Sequence, residues 1–244
     1  MAAVTSPAVV VFDLDDTLFA HQRAVRIGVR AHRAATGGAL AAADEAEEFA
    51  RWHALEEHHY TRYLSGELDF LGQRRSRARD FVAPYDLDLS DDAAADRWFD
   101  DYLAEYTRSW ALHEDALPCL DALDAAGIRI GIITNGDLTF QKAKIERVGL
   151  ATRIEHVIAS GDLGFAKPDP RIFEHACAVF GVAASSAAYV GDRLHTDAIG
   201  AAAAGLIGVW LDRSGAATTE ELAEAEAAGV PVIRSLAELP AVLV

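Results

Sequence analysis

The sequence predicts an α/β fold: a Rossmann-like, doubly wound parallel sheet with an inserted all-α cap domain. Toward its C-terminus the chain alternates short β-branched runs with helical stretches, the pattern of repeated βα units. A long stretch nearer the N-terminus contains only helical periodicities. We therefore predict a discontinuous α/β core domain, residues 1–18 and 113–244, and a helical cap domain, residues 19–112.

The first apolar run, residues 8–12, contains three consecutive valines and is typical of a buried parallel strand. A lone strand is not stable, so this one must join the later strands in one sheet. Asp13 and Asp15 follow it and leave the strand on the same side. Two carboxylates about 4 Å apart repel by roughly 4 kcal/mol near a protein surface, so a shared proton or a bound cation is expected. Taken alone, these aspartates could instead cap a helix or a turn.

The cap domain is predicted to consist of four helices. In one of them Trp52, Leu55, His59 and Tyr63 recur at three- and four-residue spacing and form an apolar stripe. Such an insertion is expected to cover a pocket as a lid, which favours a small substrate. The helices are predicted at residues 22–35, 44–64, 67–81 and 92–110.

The remaining strands and helices alternate, and a glycine ends several of the helices, where the backbone commonly turns left-handed. Units of this length require parallel strands with helices on both faces of the sheet. Strands are predicted at residues 128–133, 156–159, 187–190, 206–211 and 230–233. Helices are predicted at residues 118–126, 140–148, 171–180, 197–204 and 219–228.

Reactive or phosphate-binding residue types follow four of the strands. Ligands of open α/β sheets lie at the carboxyl ends of the strands, so we expect these side chains to converge on one pocket. Each could singly be a turn, cap or surface residue, but that explanation would need a coincidence at four successive strands. They are Asp13, Asp15 and Thr17; Thr134, Asn135 and Gly136; Lys167; and Asp192 with Asp197, which is placed at a helix start.

In their order and spacing these segments resemble the motifs of the haloacid dehalogenase (HAD) superfamily of phosphohydrolases with a helical, C1-type cap. FDLDDTL is similar to the first motif, TNG to the second, the lysine of KPDP to the third and GDRLHTD to the fourth. The TNGD and KPDPRIF segments resemble the branch that holds N-acylneuraminate phosphatase and pyrimidine nucleotidases. The resemblance implies Mg²⁺-dependent hydrolysis of a small-molecule phosphomonoester through an aspartyl-phosphate intermediate.

The resemblance also implies a catalytic role for each strand-end residue. Asp13 is the nucleophile, and Asp15 is the acid that protonates the leaving oxygen and then the base that activates water. Thr134 and the backbone N–H of Asn135 bind the phosphoryl oxygens. Lys167 neutralises the phosphate and the nucleophile. The chemistry of phosphoryl transfer, considered by itself, also requires residues of these types.

Mg²⁺ is a hard cation that binds carboxylate and carbonyl oxygens. The resemblance implies that Asp13, Asp192 and the backbone carbonyl of Asp15 are its ligands. Asp197 is expected to orient a metal-bound water from the second shell.

The sequence offers fewer signals for the residues that contact the rest of the substrate. Thr17 belongs to the first motif, and His21 and Arg23 follow near the expected hinge of the lid. A run of arginines could meet an anionic substrate, although a solvated helix face is the favoured interpretation. The run contains Arg74, Arg75, Arg77 and Arg79.

Two other functions of the same fold stay open. A phosphomutase or phosphotransferase would pass the phosphoryl group to an acceptor, and a haloacid dehalogenase would displace halide. Halide leaves without a proton whereas an alkoxide needs one, so the presence of Asp15 favours a phosphatase. A non-catalytic phosphoryl- or metal-binding module is a further alternative, but binding alone would not need Asp15.

The composition limits the kinds of binding partner that are expected. The formal net charge of −16 argues against a nucleic acid polymer, and a small phosphorylated metabolite is expected instead. No apolar stretch is long enough for a transmembrane helix and no signal peptide is recognised, so a cytoplasmic protein without membrane association is expected, as a monomer or homodimer. Cys119 and Cys177 fit no metal spacing and are predicted to be buried.

Overall fold

The computed structural model describes residues 6–243, which divide into two compact units. The α/β unit contains the chain up to Ala20 and from Ala111 onward, and the helical unit is His21–Trp110. This division lies two residues inside the boundaries expected from the sequence. The reason is that Phe19 forms a β-bridge with Leu112, which keeps both connecting segments in the α/β unit.

Six parallel strands form the sheet of the α/β unit. They are β1 (Val9–Phe12), β2 (Arg129–Thr134), β3 (His156–Ala159), β4 (Ala187–Gly191), β5 (Ile207–Leu211) and β6 (Val232–Ile233). The order across the sheet is β3-β2-β1-β4-β5-β6, so the connections change direction between β1 and β4. This is the doubly wound order in which ligands bind beside that switch point. The predicted α/β, Rossmann-like fold class is confirmed.

The helical unit holds five α-helices and a short 3₁₀ helix, Ala83–Tyr85. The unpredicted short α-helix follows Gly37, whose φ of 78° only glycine adopts freely. Aspartates 44, 69 and 91 cap three of the helices by accepting hydrogen bonds from backbone N–H groups. The helices are α1 (His21–Thr36), α2 (Gly38–Ala42), α3 (Glu45–Leu64), α4 (Phe70–Val82) and α5 (Asp92–Arg108).

The arginine run on α4 is part of the packing of the helical unit. Arg77 is 6% exposed and pairs with Glu56 of α3. Arg75 donates to Asp96 of α5 at 2.7 Å. The predicted solvated face is therefore wrong for Arg77, because the long side chains reach across to acids on the neighbouring helices.

The helices of the α/β unit follow its strands, and two short ones, Ser160–Leu163 and Leu239–Val242, were not predicted. The expected helix 197–204 begins instead as a π-helical turn, Leu194–Ile199, so Asp197 lies inside that turn and not at a helix start. The helices are α6 (Ala116–Ala125), α7 (Leu138–Arg147), α8 (Ser160–Leu163), α9 (Pro170–Phe180), α10 (Gly200–Ala203), α11 (Thr219–Ala227) and α12 (Leu239–Val242).

The core of the α/β unit lies between the sheet and its helices. All four residues of β1 are buried, as expected for the centre of a parallel sheet. Cys119 and Cys177 are both buried and unbridged, in agreement with the prediction. Within residues 6–243 no helix is both long and apolar enough to traverse a bilayer.

Candidate active site

The register of the sheet brings the carboxyl ends of β1, β2 and β4 together. Phe12, the last residue of β1, lies opposite Ile132 of β2 on one side and Val190 of β4 on the other. The backbone N–H of Asp13 donates to the carbonyl of Val190 at 2.8 Å. Asp13 therefore emerges at the carboxyl edge of the sheet, between the residues that follow β2 and β4.

A tight turn after β1 sets the direction of the first motif. Asp16 has a φ of 61°, a left-handed conformation that aspartate tolerates better than most residues. Its N–H donates to the carbonyl of Phe19 at 2.7 Å, and the N–H of Phe19 donates to the carbonyl of Leu14 at 2.9 Å. The turn is thus closed by its own backbone.

Arg213, after β5, anchors this turn from outside. Its guanidinium donates to the carbonyl of Thr17 at 2.6 Å and to that of Asp16 at 3.2 Å. The same guanidinium is held by both carboxylate oxygens of Asp115, at 2.8 and 2.9 Å. The hydroxyl of Thr17 is itself buried and has no hydrogen-bond partner among the described residues.

Lys167 is the buried cation of the site. Its Nζ donates to Asp13 Oδ1 at 2.6 Å, to Asp197 Oδ1 at 2.8 Å and to the Tyr189 hydroxyl at 2.7 Å. Burial alone would lower the pKa of Lys167, but the two carboxylates raise it above its usual range. Asn135 fixes the loop, since its side chain donates to the carbonyl of Lys167 at 3.0 Å and accepts from the N–H of Lys167 at 2.9 Å.

Three acids surround this one cation. Asp13, Asp192 and Asp197 each offer a carboxylate oxygen, and these oxygens lie within 4.8 Å of one another. Burial, with the charges of Asp197 and Asp15, raises the pKa of Asp13 to about 7, although Lys167 acts in the opposite direction. Burial and the charges of Asp13 and Asp197 raise the pKa of Asp192 well above its usual range.

This donor set fits a hard divalent cation. Each pair of ionised carboxylates at such a separation repels by on the order of 3 kcal/mol at an effective dielectric of about 20. One ammonium cannot balance three carboxylates, whereas oxygen ligands of this kind are those that Mg²⁺ prefers. The acidic cluster could therefore hold a metal ion.

Two features of the fold allow the acids to approach one another. A Cβ on Gly191 would overlap the carboxyl group of Asp197, so the last position of β4 requires glycine. The indole N–H of Trp210 donates to the backbone carbonyl of Asp192 at 2.9 Å and fixes the next residue. The positions of Asp192 and Asp197 thus depend on packing within the sheet.

A second cation lies beside Asp15. Lys144 Nζ donates to both carboxylate oxygens of Asp15, at 2.7 and 2.9 Å. The side-chain amide of Gln141 donates to Asp15 Oδ2 at 3.2 Å and to Thr134 Oγ1 at 2.8 Å. Both donors lie on α7, which begins after Asp137, whose side chain caps the helix by accepting from the Phe140 N–H.

The predicted site residues are distributed as follows. Asp13, Lys167, Asp192 and Asp197 form one cluster, and Asp15 and Thr134 are joined through Gln141. The two remaining substrate candidates belong to the helical unit. There the ring nitrogens of His21 lie 2.9 Å from the Tyr106 hydroxyl and 3.5 Å from Glu56, and Arg23 is exposed.

Three residues of this site escaped the sequence analysis: Tyr189, Gln141 and Lys144. Tyr189 lies in the middle of β4, where a tyrosine is ordinarily a core residue, yet its hydroxyl donates to Asp197 and to the Ile133 carbonyl at 3.2 Å. Gln141 and Lys144 are spaced by three, and Ile145 shares their face. The sequence signal that could have identified them is a pair of polar residues on the same helix face as a buried apolar residue.

The chain is similar in sequence to proteins named as phosphatases. It is 40% identical over 106 residues to a phosphoserine phosphatase of Thermus thermophilus, covering 43% of each chain. It is 33% identical over 142 residues to the N-acylneuraminate-9-phosphatase of Rattus norvegicus, covering 54% of this chain and 52% of that one. The chain thus spans about half or less of the length of these curated relatives.

Solved structures match nearly the whole chain. A HAD-hydrolase from Bacillus subtilis, described as bound to magnesium, has a TM-score of 0.78 at 20% identity and covers 98% of this chain and 99% of that one. A 2-haloacid dehalogenase from Pseudomonas syringae has a TM-score of 0.65 at 26% identity, covering 97% and 98%. The family model of the haloacid dehalogenase-like hydrolases matches residues 7–205, and this chain belongs to that family.

Proposed function

We propose that this hydrolase cleaves small phosphomonoesters with Mg²⁺, using Asp13 as nucleophile and Asp15 as acid and base. The observation that carries the proposal is the pair of aspartates with separate partners: Asp13 contacts Lys167, and Asp15 contacts Lys144. A nucleophile and a proton carrier two residues apart serve substitution at phosphorus when the leaving group needs a proton. The similar curated proteins are named as phosphatases of phosphoserine, glyceraldehyde 3-phosphate and N-acylneuraminate 9-phosphate, which are all small esters.

In the first step a carboxylate oxygen of Asp13 attacks phosphorus in line with the ester oxygen. A bond forms between Asp13 and phosphorus, and the bond from phosphorus to the ester oxygen breaks. Asp15 enters this step protonated, in the form that the second step leaves behind, and gives its proton to that oxygen, so the alcohol leaves neutral. Lys167, at 2.6 Å from Asp13 Oδ1, holds the nucleophile in place and offsets negative charge.

In the second step Asp15 takes a proton from water, and the water oxygen attacks phosphorus. The bond between phosphorus and Asp13 breaks, which regenerates the carboxylate and releases inorganic phosphate. Thr134, next to the end of the first strand, and the backbone N–H of Asn135 are the proposed donors to the phosphoryl oxygens. The hydroxyl of Thr134 accepts from Gln141, so its own hydrogen is left for the substrate.

Mg²⁺ would be held by Asp13, Asp192 and the backbone carbonyl of Asp15. When bound, it would supply positive charge toward the phosphoryl oxygens. Asp197 accepts hydrogen bonds from Lys167, Tyr189 and the N–H of Arg193. It therefore helps to hold the Lys167 ammonium in place.

A dehalogenase is the second candidate, because solved 2-haloacid dehalogenases share the fold. Displacement of halide needs a nucleophile but no proton donor, so it would leave Asp15 and its two donors on α7 without a role. A phosphotransferase would use the same residues but pass the phosphoryl group to an acceptor other than water.

The test is a panel of phosphate esters and 2-haloacids with the purified protein and Mg²⁺. Release of phosphate from small esters, absent in the Asp13→Asn variant, supports the proposal. Release of halide without phosphate would replace it with the dehalogenase. If neither phosphate nor halide is released from any compound of the panel, both the phosphatase and the dehalogenase assignments are contradicted.

A further inference from the structure

Lys144 is a buried lysine that none of the four motifs contains. It lies on α7 and is 2% exposed, whereas Lys142 on the same helix is exposed. A lysine that loses nearly all its hydration requires compensation at its ammonium group. Contact with both carboxylate oxygens of Asp15 provides it.

Two aromatic rings also lie near this ammonium. Its Nζ lies 5.0 Å from the centroid of Phe19 and 5.2 Å from that of Phe140. Phe19 closes the turn of the first motif, and Phe140 lies on α7 four residues before Lys144. Cation–π attraction acts at these distances, so the position of Lys144 is determined by the helix and by the turn together.

Gln141 connects the same carboxylate to the second motif. One amide nitrogen donates to Asp15 Oδ2 at 3.2 Å and to Thr134 Oγ1 at 2.8 Å. An aspartate side chain has two rotatable bonds, and three donated hydrogen bonds restrict both of them. Both donors come from one helix, and that helix is capped by Asp137, which directly follows TNG.

From this geometry we infer that Lys144, assisted by Gln141, is a positioning residue that holds the Asp15 carboxylate toward the leaving-group oxygen. The inference rests on the proposed function and adds a specific expectation to it. Lys144 donates to both carboxylate oxygens of Asp15, so its effect on the reaction is expected to pass through Asp15. Misplacement of a reacting group by about 1 Å can cost on the order of 100-fold in rate.

The experiment compares two esters that differ in their need for a proton. An alkyl phosphate releases an alkoxide that must be protonated, whereas 4-nitrophenyl phosphate releases a stable anion. The parameter is kcat/KM, which reports the steps up to transfer of the phosphoryl group to Asp13. Lys144→Met is expected to lower kcat/KM for the alkyl ester by about 10- to 100-fold and for the aryl ester by less than about threefold. The matched control Lys142→Met changes neither.

Two results would overturn the inference. Equal losses for both esters would indicate a structural role or direct binding of phosphate by Lys144. The same loss from Lys144→Met in the Asp15→Asn background as in the wild type would show that Lys144 acts independently of Asp15. If Lys144→Met does not fold, Lys144→Gln, which keeps a hydrogen-bond donor, carries the same comparison.

Thermal unfolding without substrate separates this inference from the proposed function. If Lys144 and Asp15 interact as the distances indicate, the double variant Asp15→Asn/Lys144→Met unfolds at a higher temperature than the sum of the two single losses predicts. Additive losses would contradict the contact. A wild-type protein that hydrolyses no ester but shows this coupling would refute the phosphatase proposal and leave the pairing in place.

Discussion

Asp13 and Asp15 of the first motif lie two residues apart but in different electrostatic surroundings. The side of the proposed nucleophile, called the nucleophile side and defined as Asp13, Asp192, Asp197 and Lys167, holds three carboxylates against one ammonium. The leaving-group side contains Asp15 with Lys144, Gln141 and Thr134, so there one carboxylate faces one ammonium.

The difference shows which side requires a further cation. On the nucleophile side burial and crowding raise the pKa values of Asp13 and Asp192, which means that ionisation of all three acids is costly without added positive charge. On the leaving-group side the protein itself provides the opposite charge. We therefore expect dependence on Mg²⁺ from the first side and dependence on side-chain geometry from the second.

The largest expected effect is that of Asp13→Asn. An amide is not a nucleophile toward phosphorus, so kcat should fall by about 10⁴-fold or more, the scale on which loss of a nucleophile acts. Steady-state release of phosphate from a small ester measures it. Residual turnover within about tenfold of the wild type would contradict the assignment of the nucleophile side.

Asp15→Asn is expected to lower kcat for an alkyl phosphate by about 10²- to 10⁴-fold, because it removes the acid and the base. Binding of vanadate, a phosphate mimic, should change little, since Asp15 is not a proposed phosphate ligand. Retained turnover would remove Asp15 from the chemistry. Loss of vanadate binding would instead point to damage on the nucleophile side.

Asp192→Asn should weaken Mg²⁺ binding by at least the roughly 10- to 100-fold that loss of an outer partner of a metal ligand costs. Isothermal titration with MgCl₂ measures the affinity directly. In the wild type a concentration of Mg²⁺ about 100 times the Kd should also stabilise the fold by about 2.7 kcal/mol. Equal affinity in Asp192→Asn would place the cation elsewhere.

The smallest effect concerns the anchor of the first-motif turn. The hydrogen bonds from Arg213, Ser235 and Leu236 outweigh burial and lower the pKa of Asp115 to about 2. The unfolded chain therefore binds this proton more readily than the folded one. The resulting stability, about 1–2 kcal/mol, is complete above about pH 4 and is lost as the pH falls toward 2.

Denaturant unfolding between pH 2 and 5 checks this prediction. Asp115→Asn should be less stable than the wild type at pH 5 and should show a shallower decline toward pH 2. The exposed Asp100→Asn serves as the control and should keep the wild-type slope. An unchanged slope in Asp115→Asn would show that the Arg213 contact does not contribute to stability.

The predictability of the two sides also differs. The sheet and the family could be predicted because β-branched runs, glycine-terminated helices and four motifs recur in a fixed order. Asp13, Lys167 and Asp192 stand at strand ends or in the loop after a strand, where a charged residue interrupts an apolar pattern. Lys144 lies inside a helix, where a lysine is ordinarily a solvated residue.

Two other differences between the sequence-based predictions and the structure have similar causes. The sequence pattern predicts a regular helix that starts at Asp197, whereas the close approach of Asp197 to Gly191 accompanies a π-helical turn. Tyr189 is hydrophobic enough to be taken as core, and only its hydroxyl contacts reveal its place beside Lys167. Contacts between elements distant in the chain determine both residues, and local patterns do not contain that information.

The central claim is that Asp13 becomes phosphorylated while Asp15 handles the protons. Asp15→Asn mixed with 4-nitrophenyl phosphate and Mg²⁺ tests it, because the first step then needs no acid and the second lacks its base. Rapid acid quench and peptide mass spectrometry should find about one phosphoryl group per chain, on Asp13, together with a burst of nitrophenol. A burst with the phosphoryl group on another residue, or turnover without any phosphorylated peptide, would contradict the account.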